Sequence, residues 1–395
     1  LIQCIGIFWL LYWMVVRFIH LLAIVLGIWQ LHRKPRLDLH SLEQSIPSVS
    51  ILKPICDSDD PFLFSNLETF FTLEYPGRFE IIFCLQDASD KNLQLYINKL
   101  KDKYPNVKTQ VFCGGEDVGM NPKINNMYPG YMAAKYELLL ISDARIRMKK
   151  DTLMDMVCCM TQDVGLVHQM PFICDQNGVP AVTLEKIHFG ASNAKIYLLA
   201  NAVSINCAIG MSELIRKDIL DESGGLKVFA KYLAEDYFFA QAVLDSGYKL
   251  RMATQPAWQN SGVVGVSILQ DRVTRWNKLR MAMIPFTSIL EPATEWILSG
   301  FLASWSVLTL FRLDPLDFFF IHLLQWFLLD WVLLLVVQNG ELPFNKFEFL
   351  VMWMYREITA PYLYANAIAH PEIKWRTNSF RINLGGIADT TSQVV

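Results

Sequence analysis

The sequence is short of charge. Only 18% of its 395 residues are Asp, Glu, Lys or Arg, where an ordinary soluble domain carries about 25%. The 35 basic and 38 acidic residues nearly cancel, to a formal net charge of −3, so no basic field covers the chain and nucleic acid is excluded as its main partner. Several motifs are missing too. No G-x-G-x-x-G follows a strand-like run and no P-loop occurs, which removes the usual signatures of dinucleotide oxidoreduction and of phosphoryl transfer from ATP. No G-x-S-x-G elbow sets up a Ser-His-Asp hydrolase. The eight cysteines form no C-x-x-C, and no Asn stands in an N-x-[ST] sequon. Both absences fit a catalytic region facing a reducing compartment, with the cysteines acting as small buried hydrophobes.

What is abundant is apolar sequence, 53% of the chain, concentrated at the two ends. Residues 5–30 are too long for a signal-peptide core and read as a membrane span. Arg17 and His20 interrupt it and are tolerated where they snorkel or face protein. The basic cluster His32, Arg33, Lys34 and Arg36 follows and places that end in the cytosol. The chain starts at Leu1 rather than Met, so a few residues are expected ahead of it. In the C-terminal third, 296–311, 316–337 and 347–369 are apolar runs that carry or adjoin Glu295, Asp317, Asp330, Arg356 and Glu357. Arg356 and Glu357 share no helix face and are expected to contact other elements. The last run reads as spanning or as re-entrant. A cytosolic tail, basic from Lys374 to Arg381, requires an even number of crossings in this region. Asp317 and Asp330 read as helix-contact residues, with an acceptor-channel role left open.

Between the apolar ends, from about 47 to 276, strand-like and helix-like runs alternate. Strands are expected at 49–52, 79–85, 107–112 and 137–142, with helices over 62–73 and 92–104 and a helix end at 132–136. That alternation implies an α/β domain with a mostly parallel sheet covered on both faces. The run 196–215 resembles a span, but Asn201, Ser204 and Asn206 break it. A crossing there would also put Asp143 and Asp236 on opposite sides of the membrane. The expected layout is an N-terminal anchor (1–31), a catalytic domain (47–280), C-terminal membrane helices (286–369) and a basic tail packing near the catalytic domain (370–395).

Chemistry is carried by aspartates at strand ends. Asp87 and Asp143 follow two of the strands, and ligands of parallel α/β sheets bind at the carboxyl ends of strands. Asp236 stands in Ala234-Glu235-Asp236, and further on comes Arg272-Val273-Thr274-Arg275-Trp276. Sugar transfer from a nucleotide diphosphate needs a carboxylate base, positive charge for the departing diphosphate and polar groups for the nucleoside. These residues can fill all three roles. Taken singly, Asp87 and Asp143 read better as helix caps; taken with Asp236 and the arginine motif they read as a site. Lys123 can be a solvated loop lysine. His168 and His188 read as packed core residues, because no ligand-spaced partner is visible. Trp276 can also anchor at the membrane surface.

The ordered set D, D, ED, R-x-x-R-W resembles the inverting glycosyltransferases with a GT-A fold. Finer matches resemble the ceramide glucosyltransferase family over nearly the whole chain. They are Leu52-Lys53-Pro54, Asn66-Leu67-Glu68-Thr69-Phe70-Phe71, Gln86-Asp87, Asn121-Pro122-Lys123-Ile124-Asn125-Asn126, Pro129-Gly130-Tyr131, Gly165-Leu166-Val167-His168 and Trp375-Arg376-Thr377. The resemblance implies a Rossmann-like GT-A domain with N- and C-terminal transmembrane helices, UDP-glucose as donor, ceramide as acceptor, and β-glucosylceramide as product with inversion. It implies Asp87 on the uridine, and Asp143 at the metal and diphosphate with a divalent cation, Mg or Mn. Asp236 is then the base, Lys123 and Asn125 lie near the donor, and Arg272, Arg275 and Trp276 close over diphosphate and acceptor. It also implies residence in the Golgi or ER membrane, facing the cytosol.

Two residues depart from the pattern. The metal motif D-x-D is here Asp143-Ala144-Arg145, and Arg145 cannot ligate a cation. Either it turns away or it pairs with phosphate, which leaves metal dependence open. Where the family has a histidine, Asn193 stands here. Two rivals remain at this point. One is a polysaccharide synthase or polyprenyl-phosphate sugar transferase; the other is a non-catalytic membrane scaffold. Oligomeric state is not legible in the sequence.

Overall fold

Four strands pair in parallel on one side of the sheet, as a computed structural model of the chain describes. It covers residues 1–33, 46–176, 178–262, 264–290, 295–375 and 378–393. Lys34 and Arg36 of the basic cluster and Arg376 and Thr377 of the tail motif lie outside these residues. The chain divides into two units, each described by itself: an apolar unit (Leu1–Gln30, Asp175–Leu199, Val266–Ile373) and a sheet unit (Leu31–Cys174, Ala200–Gly265, Lys374–Val395).

The sheet unit is built on β1 (Val49–Ile55), β2 (Phe79–Leu85), β3 (Lys108–Cys113), β4 (Leu138–Ser142), β5 (Val164–His168), β6 (Ser212–Arg216) and β7 (Lys249–Met252). Their spatial order is β3-β2-β1-β4-β6-β5-β7. The first four strands are mutually parallel. β6 runs antiparallel to both β4 and β5, and β5 and β7 are parallel again. β1 and β4 are buried at every position, so neither alternates; β4 reads as an apolar run, while β1 also buries Ser50 and Lys53. β3 lies at the edge and exposes Lys108 and Cys113. The helix Lys91–Lys103 starts where Asp90 accepts the N–H of Leu93. The helix Pro122–Ala133 starts where Asn121 accepts from Lys123 and Ile124, with proline at the position that needs no N–H. It packs Ile124, Met127 and Tyr131 onto Leu52, Ile82 and Leu139. Downstream of the sheet, Asn378–Ile382 and Ala388–Gln393 pair antiparallel, and Ala388 donates to the carbonyl of Lys231 at 3.0 Å.

No span occupies 196–215. A helix, Ala194–Val203, ends where Ser204 takes a positive φ of 56°, and β6 follows.

In the apolar unit, the helices Ile2–Gln30 and Pro315–Gln338 are long and apolar enough to cross a membrane. The helix Trp296–Phe311 has 16 residues. At 1.5 Å per residue it spans roughly 24 Å, short of the roughly 30 Å hydrocarbon layer. Lys346–Ala369 carries Arg356, Glu357 and an internal Pro361. Asp317 is exposed, but other charges in this unit face protein. Asp330 is fully buried, takes the indole N–H of Trp353 at 2.9 Å, and lies 3.2 Å from His20, 3.6 Å from Arg356 and 3.7 Å from Lys195. Arg17 reaches His322 and lies 4.6 Å over the ring of Trp326.

Candidate active site

The carboxyl ends of β1, β2 and β4 lie side by side. Asp87 stands two residues beyond β2, exposed. Its Oδ1 accepts from the N–H and the hydroxyl of Ser89, both at 2.7 Å, which hold its carboxyl below the usual range. Asp143 is the first residue beyond β4, and its side chain is 42% exposed. Two bonds fix its backbone: its N–H donates to Met211 at 2.9 Å, and its carbonyl accepts from the ammonium of Lys53 at 2.7 Å. Lys53 is wholly buried on β1, with its Nζ 3.7 Å from the ring centre of Phe70. Burial pushes this ammonium well down, and Asp143 pulls it back. The Lys-Pro motif therefore has a physical role that residue spacing does not give. A lone cation in a buried strand is the signal that could have found it.

Lys123 is the centre of the site. The Asn121 cap sets the first turn of its helix, and its Nζ lies 3.2 Å from Asp143, 2.9 Å from Glu235 and 2.9 Å from the carbonyl of Gly210. Burial alone would lower its pKa, but Asp143, Glu235 and Glu213 together carry it well above the ordinary lysine value. Asn121 also donates to Glu235 at 2.8 Å, so the cap and the ion pair form one frame. Asn125 is engaged by the preceding loop. It accepts from Val118 and Gly119 at 3.2 and 3.1 Å and donates to the carbonyl of Gly119 at 2.8 Å.

Asp236 stands half-buried in the first turn of the helix Glu235–Asp245. Gly210 donates to its Oδ2 at 2.7 Å and Tyr237 to its Oδ1 at 2.9 Å. Burial and then the charge of Glu235 push its carboxyl up to about 6, against the pull of Lys123 and the two N–H groups. Gly210 thus binds Asp236 and Lys123 at once. A Cβ there would lie 3.1 Å from the Cβ of Asp236 and 3.2 Å from the ammonium, tighter than ordinary contact. Glu213, on β6, is fully buried and neither carboxyl oxygen has a hydrogen-bond partner among the described residues. Burial first and Asp236 second hold its pKa well above the usual carboxylate value. Sequence reasoning missed Glu213, Gly210 and Lys53.

Arg145 turns to Asp60, with Nε 3.3 Å from its carboxylate, which also accepts from Ser261 at 2.7 Å and Gly262 at 3.0 Å. The metal motif therefore keeps one carboxylate, Asp143; no group of three candidate ligands occurs among the described residues. One carboxylate completed by substrate phosphates and water is an arrangement that suits Mg or Mn.

The R-x-x-R-W residues lie in the apolar unit, on the helix Val266–Met283. Arg272 pairs with Glu185 at 2.7 Å and lies 5.1 Å over Trp276, which stacks on His188. Arg275 follows one turn after Arg272. Burial and the nearby Arg356, Arg280 and Arg272 push His188 down to about 3, a neutral packed ring. Asn193 joins this cluster 3.3 Å from His188. Burial likewise pushes His168, in the sheet, down to about 4.

The model of glycosyl transferase family 21 matches residues 15–388. This chain belongs to that family. The family 21 chain is similar to ceramide glucosyltransferase 3 of Caenorhabditis elegans, 40% identical over 370 residues that cover 93% of this chain and 79% of the relative. Ceramide glucosyltransferase 1 of the same organism is 39% identical, over 94% and 78% of the two chains. The ceramide glucosyltransferase of Komagataella phaffii is 25% identical, over 86% and 83%. Among solved structures, the mannosyltransferase PcManGT from Pyrobaculum calidifontis, in complex with GDP-Man and Mn2+, superposes with a TM-score of 0.51 at 16% identity, covering 93% of this chain and 97% of the other. The family 21 chain is thus a glycosyltransferase with a GT-A-like fold.

Proposed function

We propose that this family 21 chain transfers glucose from UDP-glucose to the primary hydroxyl of ceramide, with inversion, at the cytosolic face of a Golgi or ER membrane. The observation that carries the reading is Asp236: a half-buried carboxylate pushed up to about 6, fixed by two backbone N–H groups beside the half-buried Lys123. A base with that pKa is ionised at neutral pH yet basic enough to take a proton from a hydroxyl as it attacks. That the 40% and 39% identical relatives are ceramide glucosyltransferases supports the acceptor and the sugar.

The ceramide hydroxyl oxygen attacks the anomeric carbon of glucose on the face opposite the diphosphate. The bond from that carbon to the diphosphate oxygen breaks, UDP departs with the electron pair, and Asp236 keeps the proton. Asp87 holds the uridine. Asp143, with the phosphates, would hold a divalent metal, which when bound neutralises the charge on the leaving diphosphate. Lys123 fixes Asp143 and lowers the cost of its charge beside Glu235 and Asp236. Arg275 joins the binding of the diphosphate and Trp276 that of the acceptor; this rests on the motif. The membrane helices explain the acceptor: a water-soluble acceptor would not need them.

The test is transfer of label from UDP-glucose by the full chain in vesicles, with ceramide or a glucan oligomer offered. Label in a ceramide glycolipid, absent with Asp236→Asn, is the expected result. Intact donor binding with no lipid product overturns it. Parallel assays with UDP-galactose fix the donor.

A further inference from the structure

Two cavities lie wholly inside the apolar unit and share a wall. The first, about 380 Å3, is lined by Phe320, Phe327, Leu350, Met354 and Ile358 together with Trp296. The second, about 340 Å3, has polar groups in its wall, among them Asn193, Gln270, Asn277 and Arg356. Trp296 lines both. On the helix Lys346–Ala369 the wall passes from Met354 and Ile358 on the apolar side to Glu357 and Ala360 on the polar side.

Two residues that line the polar cavity carry donors without an acceptor among the described residues. The indole N–H of Trp296 and one guanidinium nitrogen, Nη1 of Arg356, are buried and find no acceptor among the described residues. Buried donors of this kind are normally satisfied by a partner. Pro361, also in the wall, has no N–H, so the carbonyl of Glu357 four residues earlier lacks its helical donor. The charged groups of the wall balance, Arg280 and Arg356 against Glu295 and Glu357, which suits an uncharged ligand. Such a ligand brings hydrocarbon to one cavity and both hydrogen-bond acceptors and donors to the other.

We propose that the two cavities form the binding site of the acceptor lipid, with a hydrocarbon chain in the apolar cavity and an amide-and-hydroxyl headgroup in the polar one. The inference rests on the reading of the chain as a ceramide glucosyltransferase and names where its acceptor is held. An amide N–H or the secondary hydroxyl can answer the Glu357 carbonyl, and an amide oxygen can answer Trp296 and Arg356. A diacylglycerol has two ester carbonyls but a single hydroxyl donor, so it is expected to compete poorly.

The experiment uses the full chain in nanodiscs without donor, and a ceramide with a photoactivatable group in its acyl chain. Crosslinks are expected on 315–338 and 346–369, displaced by plain ceramide and not by diacylglycerol. Ala360 is exposed, so Ala360→Trp narrows the polar cavity without entering the core. It is expected to cut specific labelling and raise the acceptor KM about tenfold, with UDP affinity unchanged. Crosslinks confined to other segments, equal competition by diacylglycerol, or labelling and KM unmoved by Ala360→Trp would each overturn the site. Glucosylceramide synthesis measured in the same nanodiscs separates the two ideas. Turnover with labelling elsewhere sinks only the cavities, whereas labelling in the cavities without turnover sinks only the catalytic reading.

Discussion

Both units bury charge, and they do so with different balance. In the sheet unit one cation, Lys123, faces the carboxylates of Asp143, Glu235 and Glu213, with Asp236 next to it across Gly210. In the apolar unit the carboxylate of Asp330 faces His20, Lys195 and Arg356, and Arg356 also pairs with the buried Glu357. The first cluster has excess acid, and two of its members, Asp143 and Asp236, remain accessible. The second is sealed: Asp330 and His20 are 0% and 1% exposed. Unsatisfied acid at an open strand edge can do chemistry. A closed network between helices chiefly fixes their packing.

The sharpest way to break this comparison is to neutralise one carboxylate from each cluster. Asp236→Asn is expected to lower kcat by about 10^3-fold, within the range a general base supplies, with the melting temperature and UDP affinity close to wild type. Asp330→Asn is expected to do the reverse. It takes the buried partner from Lys195 and leaves Arg356 with Glu357 alone, and costs about 3–5 kcal/mol of stability, read as a lowered melting temperature, while folded enzyme keeps its turnover. An Asp330→Asn protein that melts normally but fails in transfer would give the apolar cluster a catalytic part.

A smaller effect is expected from pH. Asp236 must be ionised to accept a proton, so kcat/KM should be flat above about pH 6 and fall tenfold per unit below it. Its raised pKa also means that the folded state binds more protons than the unfolded between about pH 4 and 6. This group therefore adds stability at low pH that is lost as pH rises through 6. Lys123 opposes the shift, so Lys123→Gln should move the acid limb of the rate profile to higher pH as well as reduce the maximum. A limb that stays in place would separate Lys123 electrostatically from the base.

Why the sequence displayed some of this and hid the rest follows from where each interaction is made. β1, β2 and β4 are buried on both faces, so Ile, Leu, Val and Phe fill consecutive positions and the strands are visible as runs. β6 is Ser-Glu-Leu-Ile-Arg, with a buried Glu213 that spoils the apolar pattern, and its reversed direction is set by partners on either side. Asp87, Asp143 and Asp236 were legible because strand ends and motif order mark them. Gly210 was not, because it matters through Asp236, 26 residues away, and Lys123, 87 away. The arginine motif was legible as a motif, but its anchor Glu185, 87 residues from Arg272, was not.

The smallest expected effect concerns Arg145, the residue that departs most from the metal motif. Its guanidinium is 41% exposed and pairs with Asp60, which Ser261 and Gly262 hold from the other side. A half-exposed pair of this kind contributes at most about 1 kcal/mol, and Asp143 carries its backbone bonds independently of it. Arg145→Ala should therefore change the donor KM by less than about fivefold, equal to that free energy. The comparison sharpens if the assay is repeated in excess chelator. Should wild type keep its activity there while Arg145→Ala loses it, the guanidinium leaves Asp60 for the diphosphate when donor binds. Should both lose activity together, Asp143 alone with the phosphates holds the metal, and the third motif position is free to vary because Asp60 has taken its side chain out of the site.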